Sequence, residues 1–358
     1  MSLFKPTPAA LQKLIYLLVF LTFDLILFGA FTRLTDSGLG CPDWPGCYAN
    51  ATPIGASEHI AAAQSAMPTG PVTYTKAWIE MLHRYFATAV GALIVLRLIW
   101  TVQLKQKLTL PIVTFLWVCL QGAFGAFTVT MKLFPLIVTL HLLGGMVLLA
   151  LLVLQMETKN LASNPFVPSG HFPYFRRGKQ SIDIWLALAM IAVWLQIFFG
   201  AWVSTNYAVL ACNEFPTCLN GAWLPATTTD WSAGFVLWRA LGQATVDMAS
   251  QPIAFSALTA IHLTHRIFAV IVLVAITGLI MQLKKYPALR KLKLWLMIIL
   301  TLQIITGISN VVLGWPLLAA VMHTGGAAAM VLVLTKLMVL VCPCEVGEMS
   351  QSDKGVVL

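Results

Sequence analysis

FGAFTRLTDSGLGCPDWPGC, residues 28–47, starts at the end of an apolar run and finishes in a loop bracketed by two cysteines. It has a twin. FGAWVSTNYAVLACNEFPTC, residues 199–218, matches it without gaps: the Phe-Gly-Ala, both cysteines and the second proline (Pro45, Pro216) recur at an offset of 171. Further along, HRYFATAVGALIVL from His83 matches HRIFAVIVLVAITG from His265 at an offset of 182. LQGAFGAFTV from Leu120 matches LQIITGISNV from Leu302, and His141 matches His323, at that same offset. An 11-residue insertion after the second cysteine pair accounts for the change. The chain is an internal repeat, and the repeat decides the fold.

The apolar runs fix the class. The 358 residues are 59% hydrophobic and 10% charged, whereas soluble domains carry roughly 25% charged residues. Eight runs reach about the 20 residues that span a bilayer as a helix: 14–34, 78–102, 110–131, 135–156, 182–205, 255–283, 292–313 and 316–341. Four fall in each copy. An even number of crossings returns the chain to its starting side, so the copies are expected to be parallel repeats. The expected fold is an all-α integral membrane protein of two four-helix-bundle halves, related by a pseudo-twofold axis along the membrane normal. Its parts are an N-terminal tail (1–13), a first half (14–159), a basic linker (160–181), a second half (182–341) and a C-terminal tail (342–358). No cleavable leader is legible before Leu14, so the first helix is expected to stay as its own insertion signal.

The net charge of +9 reads as topology, and nucleic acid is not expected as a partner. Lys5, Lys13, Lys105, Lys107, Lys159, Arg176, Arg177, Lys179, Lys284, Lys285, Arg290, Lys291 and Lys293 all fall on one side. The positive-inside rule makes that side, with both termini, cytoplasmic. The long loops, about 35–77 and 206–254, then face outward. Across a bacterial inner membrane that is the oxidising periplasm, where disulfides persist. Cys41 and Cys47, like Cys212 and Cys218, enclose five residues. Three readings stand for them: two disulfide-closed caps, a redox-active first pair, or a four-cysteine zinc site if the loops meet.

Ionisable residues inside membrane helices are costly and mark function. His83, His141, His262, His265 and His323 fall in the expected spans, and 58 residues separate His83 from His141 and His265 from His323. Each pair comes from two helices at one depth, which suits axial ligation of a haem between them. A lone membrane histidine is more often an interhelical hydrogen bonder; two equally spaced pairs in a repeat favour the haem. Glu80 lies one turn before His83 and is a candidate acid or base, or else a partner for Arg84. Its repeat equivalent is His262, so the halves share ligands but not the carboxylate. Arg84 and Arg266 follow their histidines and could meet haem propionates or snorkel to the interface.

With these residues in place, the chain resembles the haem A synthase family over nearly its whole length. The resemblance rests on GAFTRLTDSGLGC, EMLHR with Glu80 and His83, LHLLGG with His141, HLTHR with His265 and MHTGG with His323. It implies an enzyme that oxidises a ring methyl of haem O to the formyl group of haem A by successive hydroxylations. His83 and His141 would hold haem O, His265 and His323 a haem b cofactor, and Glu80 would be catalytic. Haem O synthase and terminal oxidase assembly are the implied partners, with an unidentified electron acceptor, membrane lipid and a candidate homo-oligomer. His262 is an additional histidine beside the ligand position; the repeat favours His265 as the axial one.

A di-haem b cytochrome that only carries electrons is the main alternative, but it leaves Glu80 unused. A transporter built on parallel repeats would need broken helices or an acid chain, and neither is legible. Cys119, mid-run, reads as a buried inert thiol; Cys342 and Cys344 read as free cytoplasmic thiols. His59 and His171 fall in loops. Gln121, Gln196 and Gln303 each precede a glycine by four residues (Gly125, Gly200, Gly307), glycines that let a helix or a porphyrin approach closely.

Overall fold

Thr7 and Pro8 start the first helix before the apolar run does. The Thr7 hydroxyl accepts the Ala10 N–H at 3.0 Å, and Pro8 takes the first helical position, where its missing N–H is not needed. In the computed structural model, which describes residues 6–162, 180–225, 229–239 and 253–341, α1 spans Pro8–Leu34. There follow α2 (Ser57–Ala66), α3 (Tyr74–Gln103), α4 (Thr109–Thr130), α5 (Pro135–Ala162), α6 (Gln180–Thr205), α7 (Trp231–Gly234), α8 (Phe255–Leu283), α9 (Arg290–Val312) and α10 (Leu317–Val341). Eight of them are long and apolar enough to cross a membrane, and they are the eight expected runs. The ends differ where caps act: Thr73 accepts the Lys76 N–H at 3.2 Å, so α3 begins a turn before its apolar stretch. The short α2 and α7, in the cysteine loops, were not legible in the hydropathy. Cys342, Cys344, His171 and most of the linker lie outside the described residues.

Both halves pack by one scheme. In the first, α1 lies on α3 and α5, and α4 on α3 and α5; in the second, α6 lies on α8 and α10, and α9 on α8 and α10. The halves meet where α5 packs on α10, α1 on α10 and α5 on α6. One continuous core runs through both, including Leu18, Leu149, Leu152, Leu186, Leu279 and Leu334. Hydrogen bonds add to the packing within a half. Trp117 Nε1 donates to the Gly144 carbonyl at 2.8 Å and Gln155 Nε2 to the Thr114 hydroxyl at 2.5 Å, fixing α4 on α5. Such bonds between membrane helices average about 0.6 kcal/mol each.

The helices α1 and α6 stop in the same way. Asp36 and Tyr207 take left-handed φ values of 50° and 56°. The Ser37 and Ala208 N–H groups reach back to the carbonyls of Thr32 and Val203, each at 2.9 Å. Those two ends clasp each other. Arg33 Nη2 donates to the Ser204 carbonyl at 2.6 Å, its guanidinium lies 4.2 Å from the centre of the Tyr207 ring, and the Tyr207 hydroxyl donates to Asp36 at 2.9 Å. Arg33 and Ser204, like Asp36 and Tyr207, are repeat equivalents 171 residues apart. Contact between equivalent positions is what a twofold relation of the halves would bring about. Cys119 corrects the sequence reading: it is exposed on α4, not buried. A uniformly apolar helix does not reveal which face meets protein and which meets lipid.

Candidate functional site

Each cysteine loop is a closed cap. Cys41 and Cys47 are joined by a disulfide, as are Cys212 and Cys218. In each, the bond before the repeated proline is cis (Trp44–Pro45, Phe215–Pro216). An acid two residues after the first cysteine ties the loop internally. Asp43 accepts the N–H groups of Tyr48 and Ala49 at 2.6 and 2.7 Å. Glu214 accepts those of Gly221 and Asn220 at 2.9 and 3.0 Å and the Thr217 hydroxyl at 2.8 Å. Hydrogen bonds from the Gly221 N–H, then the Thr217 hydroxyl, hold the Glu214 carboxyl below the usual carboxylate range. Gly40 passes so close to α3 that a Cβ there would lie 2.5 Å from the Ala77 nitrogen. All four cysteines are paired, and no group of three or more metal-ligating side chains occurs among the described residues; the zinc reading falls.

The caps are held from below by the residues around the histidines. Glu80 Oε2 accepts the Cys41 N–H at 2.8 Å, and Oε1 accepts Arg84 Nη2 at 2.6 Å. Arg84 Nη1 donates to the carbonyls of Asp43, Pro45 and Gly46 at 2.9, 3.2 and 2.6 Å. The second half repeats the device with other chemistry. Cys212 N–H donates to His262 Nδ1 at 3.2 Å, and Arg266 donates to the carbonyls of Thr217 and Cys212 at 2.8 and 3.0 Å. Arg266 Nε also lies 3.4 Å from His262 Nε2. His262 is therefore turned to the cap, though it sits one turn from His265. The two arginines have a use the sequence did not suggest, as donors to loop carbonyls.

Below the caps, each remaining membrane histidine lies against a glycine of the adjacent helix. A Cβ built on Gly29 would lie 3.1 Å from Cε1 of His83, one on Gly125 3.4 Å from His141, one on Gly200 2.9 Å from His265 and one on Gly307 3.3 Å from His323. The pairs are α1 with α3, α4 with α5, α6 with α8 and α9 with α10. Phe28 meets the His83 ring edge-on at 5.8 Å. The rings are half-buried, yet Nδ1 of His83, His141 and His265 is buried without a partner. Nδ1 of His323 meets the Thr306 hydroxyl at 2.9 Å, which leaves its Nε2 for a ligand. Gln196 Nε2 stands 3.4 Å from His265 Nε2.

The rings of His265 and His323 are 6.4 Å apart, centre to centre, and inclined at 77°. Imidazole–metal bonds of about 2 Å on both sides of one ion put ring centres roughly 6 Å apart. Imidazoles with unpartnered nitrogens, glycine clearance and this spacing fit a haem iron held between the two helices. Of the three glutamines, Gln303 donates to the His323 carbonyl at 2.8 Å and occupies the space a Cβ on Gly326 would take; Gln121 occupies the corresponding space at Gly144. These two brace the ligand helices. His59, exposed, stacks on Tyr48 at 5.7 Å within the first cysteine loop.

Residues 12–335 match the model of the COX15-CtaA family, described as cytochrome oxidase assembly protein. The chain is 37% identical to a heme A synthase of Shewanella oneidensis over 329 residues, 87% of this chain and 91% of that protein. It is 28% identical to a heme A synthase of Halalkalibacterium halodurans over 309 residues, 84% and 86% of the two chains. A heme A synthase of Rickettsia bellii is 26% identical over 324 residues, 84% of this chain and 88% of its own.

Proposed function

The chain belongs to the COX15-CtaA family, and from that premise we propose that it is a haem A synthase, a multi-pass membrane oxidoreductase that converts haem O to haem A. The observation that carries the haem part of this reading is the fourfold histidine–glycine pairing, with the His265–His323 spacing. His265 and His323 would hold a haem b, which supplies one-electron redox chemistry when bound. His83 and His141 would hold the haem O substrate. The imidazoles would hold each macrocycle, and the glycines give the imidazole rings room against the adjacent helix. Glu80 is the proposed catalytic group. Both of its oxygens are fixed, by the Cys41 N–H and by Arg84, so the cap sets the position of the carboxylate. A fixed anion near the ring methyl would stabilise the positive charge that builds on its carbon and would accept a proton from water. The electron-carrier alternative gives no role to this difference between Glu80 and His262.

With haem O in the first half, its tail would lie along the outer faces of α3 and α4. Haem O carries a long isoprenoid chain that haem b lacks, so its half needs more apolar room. Gly91 on α3 and Gly122 on α4 lie 12 and 13 residues from the facing ends of these two packed helices, and a Cβ on either would meet nothing within 4 Å. Their repeat equivalents are Leu273 and Ile304. Filling that space with the residues of the second half, Gly91→Leu with Gly122→Ile, is expected to cut haem O conversion about fivefold or more, since about 1–3 kcal/mol would be lost where the new side chains meet the tail. The absorption of the resident haem should not change. Conversion at the wild-type rate would remove the tail from this face of α3 and α4.

The proposed setting is a bacterial inner membrane with both caps on the periplasmic side. Haem O synthase and terminal oxidase assembly are the proposed partners, with an unidentified electron acceptor. Pigment extraction from cells that co-express the chain with a haem O supply tests the central reading. Haem A is expected; haem O alone would overturn it.

A further inference from the structure

Val90, Ile94, Arg97 and Thr101 form the core-facing stripe of α3 toward its C-terminal end, with exposures of 1, 3, 5 and 2%. Arginine is out of place there. Its Nε is buried with no hydrogen-bond partner. The ion pairs among the described residues are Arg33–Asp36, Arg84–Glu80 and Lys336–Glu157, and none involves Arg97. A guanidinium does not deprotonate in a protein, and a buried charge without a counter-ion is strongly disfavoured. The repeat sharpens the anomaly: the equivalent position in the second half is Leu279, fully buried. A leucine suits the stripe, so the arginine is there for a partner.

The depth of Arg97 indicates what that partner is. The 30 residues of α3 extend about 45 Å, the thickness of a bilayer with its headgroups. Arg97 lies six residues before Gln103, so its backbone stands about 9 Å inside that end, near the boundary of hydrocarbon and headgroups. Lys105 and Lys107 in the following turn add positive charge at the same end. A planar guanidinium takes a phosphate through paired, charge-assisted hydrogen bonds. We propose that Arg97 is a phosphate-binding site in the first half, filled by the headgroup of a membrane phospholipid that enters beside the α3–α4 turn. It is separate from the histidine sites at the other end of the helices.

The test uses the full-length protein with its haem, purified in detergent, and compares it with Arg97→Leu, which installs the residue its twin tolerates. Phospholipid retained after a delipidating wash is measured as extracted phosphorus. Thermal stability is then followed on adding phosphatidylglycerol or inorganic phosphate. The wild type should retain lipid in stoichiometric amount and gain several degrees in Tm with phosphatidylglycerol, and Arg97→Leu should do neither. A gain with inorganic phosphate alone would reassign the site to a free anion. Equal retention and equal gain in both proteins would overturn it. So would a difference that disappears on removing residues 342–358, because Glu345, Glu348 or Asp353 would then be the partner.

Discussion

Replacing Glu80 with histidine is expected to lower conversion of haem O to haem A by about a hundredfold or more, the usual contribution of a positioned acid or base, with haem content unchanged. The internal repeat supplies the control. His262 occupies the equivalent position and already does the structural task of Glu80, accepting the N–H of the first cap cysteine beside an arginine four residues on. Glu80→His therefore retains a ring nitrogen for Cys41 and leaves Arg84 its three loop carbonyls. Only the negative charge is lost. Glu80→Gln is a less discriminating change, since its amide can turn an N–H toward Arg84. Two measurements separate the roles. Extracted pigment reports conversion, and free-thiol counting without reductant reports whether the Cys41–Cys47 cap stays closed. A closed cap with wild-type conversion would reduce Glu80 to an anchor. An open cap with lost conversion would show that the histidine does not anchor this half, and Glu80→Asp would then decide whether a carboxylate alone restores activity.

The eight crossings were legible because a lipid-facing helix is apolar all round, so a plain run of hydrophobic residues marks it. Their ends were not, since Thr7 and Thr73 set them by capping, outside the apolar run. The repeat also paired the histidines by register, His83 with His141 and His265 with His323, and the rings of the second pair do face each other. What register could not supply was direction. His262 sits three residues from His265, which suggests a shared face, yet its ring points to Cys212. Arg84 and Arg266 bind backbone carbonyls, which leave no mark in a sequence. The glycine partners were half legible. Three stand four residues after a glutamine, but Gly29 follows Leu25 and has no such flag. Arg97, near the end of its apolar run, carries no mark of burial in the sequence, and only the packing of α3 makes it buried.

Gly200→Ala is expected to cost the second half most of its haem, whereas Gly125→Ala should leave the first half nearly as it is. The contrast follows from clearance. A methyl on Gly200 would come within 2.9 Å of the His265 ring, closer than side chains tolerate, whereas on Gly125 it would meet His141 at 3.4 Å, an ordinary contact. His265 has little room to yield, because Gln196 stands against one edge of its ring and the His323 ring lies 6.4 Å away. Overpacking of this kind costs about 1–3 kcal/mol, and 1.4 kcal/mol is tenfold in occupancy. Helix propensity runs the other way: alanine in a helix is favoured over glycine by about 0.8–1 kcal/mol, so α6 itself should be stabilised. Haem loss from a more stable helix would have to come from the displaced imidazole. Gly29 and Gly307, at 3.1 and 3.3 Å, should fall between the extremes. Absorption of the purified variants under limiting haem gives the order directly. If Gly200→Ala keeps its haem with an unshifted spectrum, His265 is not seated against α6, and the fourfold pairing loses its claim to be the haem cradle.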